Sequence, residues 1–285
     1  MMPMFMPLSI AQRSSTTAHD SLTVVGILEG KTVLVTGILT DASLAFSIAE
    51  RIQREGGTVI ATGFGRGLSL TRRVLRKLPT TPELLELDVT DEEQLHRAAS
   101  EVAALTSSLD GLVHAIGFAP AACLGNGMLV ATAEEAATAF TVSTYSLAAL
   151  CRAFEPLLEA APRSSVVGLD FDASRAWPLY DWMGVAKAGL ESLCRYLARD
   201  LGPKGIRVNL VAAGPIRTMA AKSIPGFSTF EDSWSESAPL GWDVNEASPV
   251  AAATAVLLSD LLTATTGEIL HVDGGVHALG ALQQR

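Results

Sequence analysis

Thr32-Val-Leu-Val-Thr36-Gly37-Ile38-Leu39-Thr40-Asp41-Ala42-Ser43-Leu44-Ala45 decides how this chain folds. A β-favouring run ends on a glycine and a polar turn, and a serine then opens an apolar helical pattern. The result is a strand, a tight turn and a helix. Free backbone N–H groups and the helix dipole at such a junction can receive a pyrophosphate, and Gly37 lets backbone approach closely. A full G-x-G-x-x-G is absent, so an ordinary tight turn is the competing reading of Gly37 alone.

Outward from this junction the same alternation repeats. Thr58 to Thr62 reads as a strand, followed by a helix up to Lys77. Glu83 to Leu87, Gly111 to Ala115, Ser164 to Gly168 and Ile206 to Leu210 read as further strands. Between them lie helices from Glu92 to Leu105, from about Ala133 to Leu158, and around Tyr180. An irregular stretch precedes an alanine-rich helix, Pro249 to Leu258, and a last strand, Glu268 to Val272. Such β-α alternation demands right-handed crossovers and a mostly parallel sheet covered on both faces. The expected fold is a doubly wound, Rossmann-like α/β sheet in a single domain, residues 26–285. Ligands of that fold sit beyond the carboxyl ends of the strands. There the chain places Gly37, Asp88 and Val89, Gly117 and Phe118, Asp170 and Phe171, and Gly214 to Thr218.

With 285 residues, 48% of them hydrophobic, the chain has enough apolar material for a large core, and no Pro/Gly/Ser-rich linker divides it. A net charge of -9 argues against a nucleic-acid face, and Arg72-Arg73 with Arg76-Lys77 is most simply a solvated helix face. The three cysteines, Cys123, Cys151 and Cys194, are widely spaced and form no metal-site pattern, so buried thiols in a cytoplasmic protein without a metal are expected. Gly111 to Ala133 is uncharged, but it holds His114, Pro120 and Asn126 and suits a buried strand and loop better than a membrane span. Residues 1–25 read as a disordered extension or an over-long start, with a transit peptide as the sharper alternative.

Tyr180 and Lys187 are seven positions apart, two turns at about 3.6 residues per turn, so both polar heads are expected on one helix face. A neighbouring ammonium favours an ionised phenol and strengthens it as a hydrogen-bond donor to developing negative charge; the lysine can also hold ribose hydroxyls. At the end of the second strand, Thr62-Gly63-Phe64-Gly65-Arg66 lacks the acidic residue that grips a ribose 2′-hydroxyl. Phe64 suits either adenine stacking or the core. Arg66 suits either a 2′-phosphate or solvent.

Together these segments resemble a divergent short-chain dehydrogenase/reductase of the enoyl-[acyl-carrier-protein] reductase type, from about Gly26 to Gly275. The resemblance rests on Gly37, Ser43 and Ala45 in a G-x5-S-x-A arrangement, Leu87-Asp88-Val89 and His114-Ala-Ile-Gly-Phe118. It rests equally on Tyr180 with Lys187 after six intervening residues, Ala213-Gly-Pro-Ile-Arg-Thr218 and Val272-Asp-Gly-Gly275. Within the family it is most similar to the actinobacterial, mycolic-acid type, through Thr40-Asp-Ala-Ser-Leu-Ala-Phe46, Gly168-Leu-Asp-Phe-Asp172, Asp181-Trp182-Met183 and Pro239-Leu-Gly-Trp242.

The resemblance implies NADH-dependent reduction of a trans-2-enoyl thioester, on acyl carrier protein or CoA, in fatty-acid biosynthesis. It implies Tyr180, Lys187 and Phe171 as the catalytic group. It also implies a cofactor site of Gly37, Ser43, Leu44, Phe64, Asp88, Val89, Ile116, Gly117, Lys187, Ile216 and Thr218. Substrate would meet Phe118, Phe171, Tyr180, Met183 and Met219, under a loop at about 218–240 whose wall includes Ala220, Ala221, Ile224, Phe227, Phe230 and Trp234. A homotetramer is a further implication. Phe171 and Ile216 are equally read as core packing. Gly65, where the family carries an acid, leaves NADPH open; Ala115 stands for a serine; the 218–239 segment is shorter than in long-chain relatives, which implies short or medium acyl chains. Two other functions fit the fold: reduction of another enone or carbonyl in specialised metabolism, and dinucleotide sensing without turnover. Retention of both Tyr180 and Lys187 counts against the sensor.

Overall fold

A computed structural model describes residues 25–219, 221 and 226–280. Residues 1–24 lie outside the described residues, as do Ala220 and Ile224 of the expected substrate wall. Seven parallel strands form one sheet in the order β3-β2-β1-β4-β5-β6-β7. They are β1 (Thr32–Val35), β2 (Thr58–Gly63), β3 (Glu83–Glu86), β4 (Gly111–His114), β5 (Ser164–Asp170), β6 (Ile206–Ala213) and β7 (Ile269–Val272). The doubly wound expectation holds. The order reverses between β1 and β4, which opens the crevice where this architecture takes ligands.

Strand side chains alternate between two cores because the pleat has a period of two. Val33 and Val35 of β1 face one cluster, with Ala45, Ile48 and Ile52 of α1 (Leu44–Arg54) and Val250 and Leu257 of α8 (Ser248–Leu258). Leu34 faces the other, with Leu95 and Val102 of α3 (Glu92–Leu105), Leu150 and Phe154 of α5 (Ser146–Ala160), and Leu190 and Cys194 of α6 (Asp181–Leu201). β5 and β6 are buried at every position, and polar residues within them bond to backbone: Ser165 Oγ and Arg207 Nη1 each donate to Leu257 O, and Asn209 Nδ2 donates to Thr265 O. A third cluster lies beyond the strands' carboxyl ends and contains Leu124, Trp177, Tyr180, Met183, Phe230 and Trp234.

Three local expectations are corrected. The long helix from Ala133 is interrupted: α4 (Ala133–Phe140) passes through a π-helical turn, Thr141–Tyr145, into α5. At this turn Ser143 and Thr144 are buried; Ser143 Oγ meets both the Phe118 N–H and its carbonyl at 2.9 Å, and Thr144 Oγ1 donates to Ala186 O at 2.6 Å. The stretch read as irregular contains a helix, α7 (Phe227–Ser237), held by burial of Phe230 and Trp234 rather than by propensity. Tyr180 is not inside its helix but at the N-cap of α6.

Candidate active site

The N-cap turn of α6 is strained on both sides of Tyr180: Leu179 has φ 62° and Asp181 φ 38°. Non-glycine residues pay about 1–3 kcal/mol each for such backbone, which persists only where the surroundings enforce it. Here Asp181 Oδ2 accepts from the N–H groups of Asn126 (3.1 Å) and Gly127 (3.0 Å), and Trp182 Nε1 donates to Met128 O at 3.0 Å. The turn is thereby tied to the 124–128 loop.

The buried Tyr180 ring meets Phe171 at 5.1 Å between centroids. Phe171 also meets Trp177 (5.4 Å), Trp234 (5.6 Å) and, edge on, Phe230 (5.9 Å). Met183 is buried in the same cluster, while Phe118 and Met219, about half exposed, lie outside it. Of the expected substrate contacts, Phe171, Tyr180 and Met183 are therefore brought together, and the other two stand free of them. Gly214 permits the wall to close: a Cβ there would sit 2.8 Å from the Trp242 ring and 2.9 Å from Trp234 Nε1.

Lys187, buried on α6, donates from Nζ to Leu169 O at 2.8 Å and lies 4.0 Å from Asp170 Oδ1. Burial lowers the lysine pKa, and Asp170 opposes that shift. Burial raises the Asp170 pKa, opposed by Lys187. The expected lowering of the Tyr180 phenol by an ammonium is not what the site does. Burial pushes the phenol above its ordinary value, and the Asp170 charge adds to the shift. Tyr180 is thus a neutral O–H donor, with no hydrogen bond to its hydroxyl among the described residues.

At the switch point Gly37 has φ 82°, and a Cβ on it would come within 2.0 Å of Ala115 O, so no other residue fits this packing of β1 against β4. Ser43 is the N-cap of α1: its Oγ accepts from Phe46 N at 3.3 Å and donates to Thr40 O at 2.6 Å. Leu44 is the first helical residue. Thr40 Oγ1 is buried and, among the described residues, without a hydrogen-bond partner, a donor left over in the turn between β1 and α1. Gly117 has open space, with nothing nearer to a Cβ than Ser143 Oγ at 3.9 Å. Ile116 is half-buried behind it.

Phe64 follows the end of β2, 58% exposed, and is a ring at the surface rather than a core residue. Val89 is buried, and Asp88 Oδ1 accepts from Thr90 N (2.9 Å) and Thr90 Oγ1 (2.7 Å), fixing the turn after β3. Ile216 is buried after β6, and Thr218 N donates to its carbonyl at 2.8 Å. A capped helix N-terminus, a glycine cradle, an orphaned hydroxyl and an exposed ring on one rim fit an extended dinucleotide. Among the described residues no cluster of His, Cys, Asp or Glu could hold a metal ion, and no helix is long and apolar enough to cross a membrane.

Sequence reasoning missed three groups. Asp170 was placed at a strand end without a role; a carboxylate closing a wholly buried strand was the available signal. Asp181, which holds the strained turn, was noted only for resemblance. The pair His114 Nε2 and Ser146 Oγ, 2.7 Å apart, depends on the π turn and left no periodic trace.

Fold and site define a Rossmann-like α/β protein with a buried tyrosine and lysine at the mouth of a dinucleotide crevice. The family model described as Enoyl-(Acyl carrier protein) reductase matches residues 37–277, and the chain belongs to that family. The Enoyl-[acyl-carrier-protein] reductase [NADH] of Mycolicibacterium smegmatis is 44% identical over 266 residues, covering 88% of this chain and 98% of that protein. That of Mycobacterium avium is 42% identical over 265 residues, with the same coverage. The FabI enzyme of Escherichia coli, 36% identical over 253 residues, covers 88% and 95%.

Proposed function

We propose that this chain is an NADH-dependent enoyl-[acyl-carrier-protein] reductase of fatty-acid biosynthesis, acting on the trans-2 double bond of an enoyl thioester. The observation that carries the reading is Tyr180, whose buried ring packs beside Phe171 at the carboxyl end of the sheet and whose neutral hydroxyl makes no hydrogen bond among the described residues. It has the chemistry of a donor to a thioester oxygen.

NADH, when bound, supplies the hydride. With hydride added at the substrate's C3, negative charge would gather on the thioester oxygen, and C2 would then take one proton from solvent to complete the reduction. Tyr180 donates its hydrogen bond to that oxygen, and the apolar wall of Phe171, Trp177, Phe230 and Trp234 excludes water and strengthens the interaction. Lys187 holds ribose hydroxyls with the N–H groups left after its bond to Leu169 O. Gly37, Ser43, Leu44 and Thr40 receive the pyrophosphate. Phe64, Asp88 and Val89 surround the adenine, while Ile116, Gly117, Ile216 and Thr218 line the nicotinamide end. Phe118 and Met219, exposed at the rim, meet the acyl chain or its carrier.

Loss of nicotinamide absorbance with trans-2-enoyl thioesters of graded length, in wild type and Tyr180→Phe, tests this. Turnover that collapses in the variant supports it, and cofactor binding with no turnover on any enoyl thioester overturns it. A homotetramer in the cytoplasm fits the family; exposed apolar side chains on α4 and α6, Phe140, Val185 and Tyr196, support self-association. Light scattering reads the mass directly.

A further inference from the structure

The side chain of Asp170 is fully buried; among the described residues neither oxygen receives a hydrogen bond of good geometry, and the adjoining Phe171 N–H gives the charge only partial support. A carboxylate in that position weakens the fold unless a charge repays its lost hydration. The cation in range is Lys187, whose Nζ lies 4.0 Å away, and Nζ is bonded at 2.8 Å to the carbonyl of the preceding residue, Leu169. The lysine is thus tied to two consecutive residues at the end of β5, and the next residue, Phe171, faces Tyr180. A separation of 4.0 Å exceeds hydrogen-bond distance, so the ammonium is attracted without being captured and keeps N–H groups for a ligand.

We propose that Asp170 is a positioning residue for the dinucleotide: it keeps the buried Lys187 ammonium charged and aimed at the crevice without touching cofactor or substrate itself. The inference rests on the reading that Lys187 holds the nicotinamide ribose. Removing Asp170 leaves Lys187 in an apolar pocket with no counter-charge, and the ammonium then gives up its proton more readily. Other ionisable groups face the pair. Glu191 and Cys194 lie on α6 with Lys187, Tyr180 caps that helix, Asp172 follows β5, and His114 comes from β4. The carboxylates Glu191 and Asp172 oppose ionisation of Asp170 and do not replace it beside Nζ.

NADH binding, followed by fluorescence from pH 6 to pH 9 on the full chain, tests the proposal in Asp170→Asn, Lys187→Met and the double variant. Asp170→Asn is expected to raise the NADH Kd by about tenfold, the worth of one hydrogen bond to a charged group. Its affinity should also begin to fall at a lower pH than that of wild type. In the Lys187→Met background the same substitution should change Kd by less than about twofold, because its effect passes through the lysine. An equal loss in both backgrounds, or an unmoved pH profile, overturns the proposal. Asp170→Glu serves as a second variant, with partial recovery of both Kd and profile expected. Failure of wild type to reduce enoyl thioesters while binding NADH would sink the functional reading and leave this coupling decidable.

Discussion

The rings of Phe171 and Tyr180 lie 5.1 Å apart and tilted by 59°, so the residue that follows β5 and the residue that caps α6 form one continuous apolar surface. Such a surface fixes the phenol, and among the described residues its hydroxyl has no hydrogen-bond partner. Tyr180→Phe removes the donor and nothing else from the packing. Loss of one preorganised donor lowers kcat by about 10²–10³. The NADH Kd should stay unchanged, and steady-state kinetics beside a binding titration separate the two. Because burial raises the phenol pKa above its ordinary value, no alkaline loss of activity from Tyr180 is expected below about pH 10.

Gly37→Ala should abolish dinucleotide binding. The substitution puts a methyl group 2.0 Å from Ala115 O at a φ of 82°, and these two residues follow β1 and β4, which are central in the sheet. A loss of about 3 kcal/mol or more is expected, of the size reserved for strained backbone and overpacking together. Gly65→Ala also has positive φ, 53°, but nothing within 4 Å, and is the matched control. Equal urea midpoints for the two variants would show that the contact with Ala115 is not the reason for the glycine.

Trp234 closes the aromatic cluster from α7, 2% exposed and 4.9 Å from the Trp177 ring. Trp234→Ala should lower stability by about 3–5 kcal/mol and leave a cavity beside Phe171. The ratio of kcat/KM for long over short enoyl thioesters should rise in the variant, and wild type should prefer short or medium chains. A wild-type rate that climbs steadily with acyl length would contradict the closed wall.

The sheet was legible because its signals are local. β1, β2 and β4 declare themselves by apolar runs ending in glycine or polar residues, and α3 was bounded correctly at Glu92 and Leu105. What escaped depends on tertiary contact. The π turn at Thr141–Tyr145 adds no residue type that marks it, and its reason is the hydrogen bonds of Ser143 and Thr144 to distant backbone. α7 escaped because Phe227-Ser-Thr-Phe-Glu-Asp-Ser-Trp is rich in weak helix formers and is held by two aromatic residues that bury against Phe171. Spacing alone put Tyr180 and Lys187 on one helix face. Burial and Asp170, which no spacing reports, then reversed the expected direction of the phenol's shift.

Cofactor choice turns on the end of β2. Gly65 stands where an acid would grip a 2′-hydroxyl and repel a 2′-phosphate, and Arg66 makes no ion pair among the described residues. NADPH should therefore be accepted at a modest disadvantage to NADH. Gly65→Asp should raise the NADPH KM by about tenfold or more, since like charges at a binding site cost over 1.4 kcal/mol, with little change for NADH. Parallel KM measurements for both cofactors at fixed ionic strength decide it, and an unchanged NADPH to NADH ratio would remove Gly65 from the account.

His114 should make the fold sensitive to acid in the range just below neutrality. Ser146 Oγ donates its one hydrogen to Val142 O at 2.7 Å, so the 2.7 Å contact with His114 Nε2 requires the imidazole to donate. The proton therefore sits on Nε2, and Nδ1 is buried with no hydrogen-bond partner among the described residues. Burial first, and the Lys187 charge second, push the imidazole pKa down to about 3 from an ordinary 6.5. The folded pKa lies below the unfolded one, so this group's contribution is fully present above about pH 6.5 and is lost as pH falls towards 3. Between those limits the unfolded chain holds a proton that the native chain refuses, at about 1.4 kcal/mol per pH unit. From pH 6.5 to pH 5 the loss is about 2 kcal/mol. His114→Gln keeps an N–H donor for Ser146 and has no titration in this range. Urea unfolding at pH 7 and pH 5 should show the wild-type free energy falling by about 2 kcal/mol more than that of the variant. Parallel losses would mean that carboxylates alone set the acid limit and that His114 is protonated in the folded protein.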